Sequence, residues 1–132
     1  MFRLIPAVAL ASALLVSTAN AQTVSDDVSK QLWCGTAFVV AYGSVPSDAD
    51  PALLADVKTY TDAGNALIEQ STQSHLDAGF TQEAVDKLKA DIVAEVTPIV
   101  VDGGDASKAK YTFEECIAIL PQPAPDASSS AM

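Results

Sequence analysis

One histidine, two cysteines and a scatter of carboxylates are the side chains in this sequence of 132 residues whose chemistry goes beyond packing. His75 follows Ser71 by four positions and precedes Asp77 by two, so the residue types of a hydrolytic triad fall close together. The spacing refuses it. Residues four apart share a helix face and residues two apart do not, so Asp77 cannot orient the imidazole, and Ser71 with His75 is an ordinary i,i+4 pair. The reading is a hydrogen-bonded, structural histidine. Cys34 and Cys116 stand outside any C-x-x-C pattern, and a single histidine cannot complete a metal site with them; an even cysteine count then points to one structural disulfide.

Asp102 and Asp105, with Asp48 and Asp50, could offer oxygen ligands to Ca²⁺, but the alternating ligands and terminal Glu of an EF-hand loop are missing. They read as solvated loop acids. Neither C-x-x-C-H, G-x-G-x-x-G nor a Walker loop occurs, so no haem, nucleotide or other cofactor is indicated. No acid, base and nucleophile converge, so the chain reads as a non-enzyme. Trp33, Tyr42 and Tyr60 remain, all on or beside apolar helix stripes. If the helices leave a groove, these rings would line it, supplying apolar contact with an N–H or O–H handle.

The compartment is written at the start. Arg3, the uncharged stretch from Leu4 to Val16 and Ala19-Asn20-Ala21 have the order of a secretory signal peptide, residues 1–21, cleaved before Gln22. The apolar stretch is too short to span a bilayer, which takes ~20 residues, and no second long apolar run follows it. Gln22 rather than Cys argues against a lipid anchor. The mature protein is expected to be periplasmic or secreted, without a membrane span, in a compartment where a disulfide persists.

Seventeen acidic residues against seven basic ones give a net charge of −10. With no basic stripe, binding to nucleic acid is excluded. The acidity serves solubility first. Three functions fit: a binding or interaction module for an unknown protein or small apolar ligand; an acid-responsive chaperone (holdase) that uncovers Leu32 to Tyr42 as its carboxylates and His75 change charge; or an inhibitor of a cationic envelope enzyme.

The elements that must position these residues read as helices. Ser25 is an N-cap with Asp26 and Asp27 in the first turn, and Leu32 to Tyr42 is uncharged, so this helix should be central and covered all round. Thr36 to Tyr42 also has the residue types of a buried strand, although it has little to pair with. Asp50-Pro51 opens a long helix towards Ala78, with an inward stripe of Leu53, Val57, Tyr60, Gly64, Leu67 and Ser71 and a parallel row of Leu54, Thr61, Ile68 and His75. Gly79 stops it. Thr81 starts a third helix with Val85, Leu88, Ile92 and Val96 inward, which Pro98 ends or kinks. A glycine-containing loop follows. Thr112-Phe113-Glu114-Glu115 is a capping box opening a short helix that carries Phe113, Cys116, Ile117 and Leu120 on one face. The prediction is an all-α bundle of about four helices over 22–120, its first and last helices joined by the disulfide, with a disordered Pro/Ala/Ser tail over 121–132.

Overall fold

The computed structural model describes residues 23–101 and 104–121; the expected signal peptide, residues 1–21, and the part of the expected tail after Pro121 lie outside the described residues. Four α-helices and one short 3-10 turn are present, and no strand occurs among the described residues. Helix α1 spans Asp26–Gly43, α2 Pro51–Asp77, α3 Gln82–Val100 and α4 Phe113–Ala118. Each start has the cap its sequence implies. Ser25, Asp50 and Thr81 accept from backbone N–H groups of the first turns of α1, α2 and α3. At α4 the capping box is complete: the Glu115 N–H donates to Thr112 Oγ1 at 3.2 Å and the Thr112 N–H to Glu115 Oε2 at 2.8 Å. Gly79 ends α2 in the left-handed region at φ 95°, a conformation that costs a side-chain-bearing residue about 1–2 kcal/mol.

The uncharged part of α1 decides the packing. Leu32 to Phe38 are seven consecutive buried residues, which a helix allows only if neighbours cover it on every side. Helices α2 and α3 and the α4 segment provide that cover. Thr36 is an α-helical residue, not a strand residue, and its hydroxyl donates to the Leu32 carbonyl at 2.7 Å, so its burial leaves no polar atom unpaired. The core gathers Leu32, Trp33 and Phe38 of α1, Leu67 of α2, Ile92 and Val96 of α3 and Cys116 of α4.

Two glycines set the distance between α1 and α2. A Cβ placed on Gly35 would lie 2.6 Å from the Gly64 carbonyl oxygen, and one on Gly64 would lie 2.8 Å from the Gly35 carbonyl oxygen. The helices cross backbone to backbone at this point, and only glycine fits on either side.

Two expectations need correction, and of the two outcomes expected at Pro98, an end or a kink, the end is ruled out. Pro98 lies inside α3, which runs on to Val100; the proline removes one donor, yet the Val101 N–H still reaches the Thr97 carbonyl at 3.2 Å, so the last turn holds. Phe113 shares a helix face with Cys116 but is 59% exposed, because α4 has only 6 residues and its first turn overhangs the core. Leu53, first of the inward stripe on α2, is also exposed, since the stripe begins a turn before α1 covers it.

Candidate functional site

The disulfide organises the site. Cys34 and Cys116 are bonded, joining α1 to α4 across 82 positions. This holds the segment from Ala106 to Cys116 beside α1, and the covering is incomplete. An apolar groove of about 280 Å³ remains. One wall is α1, through Trp33, Ala37, Phe38, Ala41 and Tyr42; the other is Ile99 and Val100 with Ala106, Ala109, Tyr111 and Phe113, and both cysteines contribute. None of these lining side chains is charged. Ile99 and Val100 belong to the wall because α3 continues past Pro98.

The aromatic residues are held in a fixed order. Trp33 Nε1 donates to Glu95 Oε1 on α3 at 2.9 Å, and its ring meets Tyr111 edge-on, with centroids 5.5 Å apart and planes at 74°. At the other end Tyr42 stacks on Tyr60 at 4.8 Å and 13°. Tyr60 also stacks on Phe38 at 5.5 Å, and Phe38 meets Phe113 edge-on at 5.9 Å. Of the three rings picked out in the sequence, Trp33 and Tyr42 line the groove, whereas Tyr60 supports it from behind. Partial burial, with the charges of Tyr60 and Asp56 as lesser contributors, pushes the Tyr42 phenol above its ordinary 10.0.

Tyr111 was not singled out from the sequence, and Phe113 only for its helix face and not for the groove, although a signal for both exists. Both lie within five residues of Cys116, so once Cys116 is tied to Cys34 they must fall near Trp33 and Phe38, the neighbours of Cys34 on the same helix. Tyr111 is further flanked by two lysines, with Lys30 Nζ 5.4 Å and Lys110 Nζ 5.7 Å from its ring centroid. Lys30 Nζ also stands 3.9 Å from Glu115 Oε1. The Glu115 carboxyl is held below its ordinary 4.5, chiefly by the hydrogen bonds from the Thr112 backbone and hydroxyl and to a lesser degree by Lys30.

The hydrolytic constellation is absent in geometry as well as in spacing. His75 is buried at 1% exposure, with Nδ1 2.7 Å from the Ser71 carbonyl oxygen. The Ser71 hydroxyl is buried and has no hydrogen-bond partner among the described residues. Asp77 accepts from Gln73 Nε2 at 2.9 Å instead of orienting the imidazole. Of the loop and linker acids, Asp102 lies outside the described residues; among those described, no group of three or more His, Cys, Asp or Glu could hold a metal ion. Nor is any helix among them long and apolar enough to cross a membrane. No protein-family model, curated protein or solved structure matches this chain.

Proposed function

We propose that the protein is an exported, periplasmic binding module, without catalytic machinery of its own, that takes a small apolar ligand in the groove between α1 and the Ala106–Cys116 segment. The observation carrying this reading is the character of the groove. It is a concave surface, walled by aromatic rings and alanines and stapled open by a disulfide, with no charge on any lining side chain. Pockets for small ligands have this composition, apolar walls with a few polar handles, here the Tyr42 and Tyr111 hydroxyls. The alanines leave the space and the rings give it shape.

A ring compound of about 11 heavy atoms gaining ~0.5 kcal/mol per atom would bind with a dissociation constant on the order of 100 µM. The test is titration of the oxidised protein with 2-naphthol, followed by calorimetry and by quenching of Trp33, the chain's one tryptophan. Saturable one-to-one binding is expected, and Ala106→Phe, which fills the groove from an exposed position, should abolish it without loss of helix. Failure of the wild-type protein to saturate would overturn the reading.

A further inference from the structure

The groove between α1 and the Ala106–Cys116 segment is long and narrow. On α1 its wall runs through Trp33, Cys34, Ala37, Phe38, Ala41 and Tyr42, one strip of helix face about 13.5 Å long. A volume of about 280 Å³ over that length leaves a mean section of about 21 Å², room for one extended hydrocarbon chain. A methylene group takes about 27 Å³, slightly less than a water's share of the liquid, and advances an extended chain by about 1.25 Å. Ten of them fill about 270 Å³ over about 12.5 Å, which matches the groove in both measures.

The two ends of the groove differ in charge. At one end Trp33 meets Tyr111, and two ammonium groups stand by the Tyr111 ring, Lys30 Nζ 5.4 Å and Lys110 Nζ 5.7 Å from its centroid. Neither is neutralised at hydrogen-bond distance. Lys30 is 3.9 Å from Glu115 Oε1, on a carboxylate that already accepts from the Thr112 N–H, and Lys110 is in no ion pair among the described residues. Asp91 and Glu95 share a small cavity with Lys110, but Lys87 and the Trp33 indole N–H engage them. At the other end Tyr42 stacks on Tyr60. Asp56 lies one turn before Tyr60 on α2, and its charge, after burial and Tyr60, is the third cause of the raised Tyr42 phenol.

We propose that the ligand of the groove is a single-chain amphiphile with an anionic head, a linear carboxylate of about ten carbons, its chain lying along α1 towards Tyr42 and its carboxylate held by Lys30 and Lys110 beside Tyr111. This names the ligand class of the groove and rests on the reading of the groove as an apolar site. The chain displaces water from a wall with no charged side chain. The head meets two ammonium groups at one end and an acid at the other, so only one orientation brings opposite charges together. The net charge of −10 attracts cations and repels anions at longer range. A preference for an anionic over a cationic amphiphile therefore requires a local source, and the two lysines supply it.

The oxidised protein is titrated with sodium decanoate, 1-decanol and decyltrimethylammonium chloride, each below its micelle-forming range, by calorimetry and Trp33 emission. One-to-one binding of decanoate, at least tenfold tighter than that of decyltrimethylammonium, is expected. Affinity should rise about fourfold per methylene from hexanoate to decanoate and level off at dodecanoate. Lys30→Gln and Lys110→Gln together should weaken decanoate at least fivefold and leave 1-decanol within twofold; if that variant does not fold, Lys110→Gln alone, at an exposed position, should weaken decanoate at least twofold. Nuclear Overhauser contacts should run from the decanoate methyl to Tyr42 and from its C2 methylene to Tyr111. Equal affinity for the two charged amphiphiles, wild-type decanoate affinity in the lysine variants, reversed contacts, or tighter binding to phosphatidylglycerol vesicles than to decanoate would each overturn the proposal. Binding of 2-naphthol without binding of decanoate would overturn this proposal alone, whereas binding of neither would overturn the apolar reading of the groove with it.

Discussion

Replacing Gly35 with alanine places a methyl group where no space exists. The new Cβ would stand 2.6 Å from the Gly64 carbonyl oxygen, with Ile68 Cγ1 at 3.0 Å and Leu67 Cβ at 3.1 Å. A flexible side chain could rotate away, but a backbone carbonyl in the middle of α2 cannot. The two helices must separate by about 0.8 Å, from 2.6 Å to 3.4 Å, to reach ordinary contact, and that loosens the packing of Leu67 and Phe38 on either side of the crossing. Overpacking of this kind costs about 1–3 kcal/mol, whereas alanine in place of glycine in a helix returns about 1 kcal/mol by propensity. Since the clash is with backbone, the upper end applies and the net loss is about 2 kcal/mol. For a domain of this size that lowers the melting temperature by roughly 8–15 °C.

Thermal and urea unfolding followed at 222 nm measure the loss, with Gly43→Ala as the control. At Gly43 a Cβ meets nothing within 4 Å, so that variant should be neutral or gain a few tenths of a kcal/mol. Gly64→Ala should cost about as much as Gly35→Ala, its Cβ lying 2.8 Å from the Gly35 carbonyl oxygen. The double variant should lose less than the two single losses added, because one separation of the helices relieves both clashes. A Gly35→Ala protein as stable as the wild type, or strictly additive losses, would refute a backbone contact at this crossing.

Three further outcomes follow from the same contacts. Replacing Cys34 and Cys116 together by serine frees a loop of 82 positions, which in the chain-entropy model removes about 4.5 kcal/mol; urea unfolding should show it, and exchange of the α4 amides should rise towards the unstructured rate. Glu115 has a depressed carboxyl pKa, so its stabilising effect is fully present above the unfolded value near 4.5 and is lost as pH falls through the lower folded value; the stability difference between wild type and Thr112→Ala, measured by urea unfolding, should therefore be constant above about pH 5 and shrink below it. Tyr42 has a raised phenol pKa, so the folded state keeps its proton longer and stability declines once pH climbs past 10.0. Its part of the absorbance titration at 295 nm, isolated by difference from Tyr42→Phe, should have a midpoint above that value.

The parts of the fold that were legible in the sequence are those fixed by local chemistry. Ser25, Asp50-Pro51, Thr81 and Thr112 with Glu115 each carry a cap whose partner lies within three residues, so the helix starts needed no knowledge of the rest of the molecule. The centrality of α1 was legible for a similar reason: seven successive positions without a charge can be buried together only in the middle. Gly64 was placed on the inward stripe, but its close approach to Gly35 on the other helix was not readable, because register between helices is set by the summed packing of both. Pro98 was read as ending or kinking α3 because proline disrupts helices; the helix does not end there, its last turn being kept by the bond from the Val101 N–H to the Thr97 carbonyl.

The binding surfaces were less legible, and the reason lies in how they are made. A groove is space that packing leaves over, and space has no residue type. Trp33 and Tyr42 could be named in advance because large amphipathic rings are the side chains that border such space wherever it opens. Ala37, Ala41, Ala106 and Ala109 could not, since an alanine lining a groove is indistinguishable in sequence from one on any helix. The hydrogen bond from Trp33 to Glu95 shows the same limit from the polar side. Glu95 falls on the outer side of the α3 stripe, where a carboxylate is normally only solvated, and its role depends on an indole 62 positions away. That bond orients the ring in the wall of the groove. An occupant of the groove must therefore act on this indole, and Trp33 is the residue at which its binding can be measured.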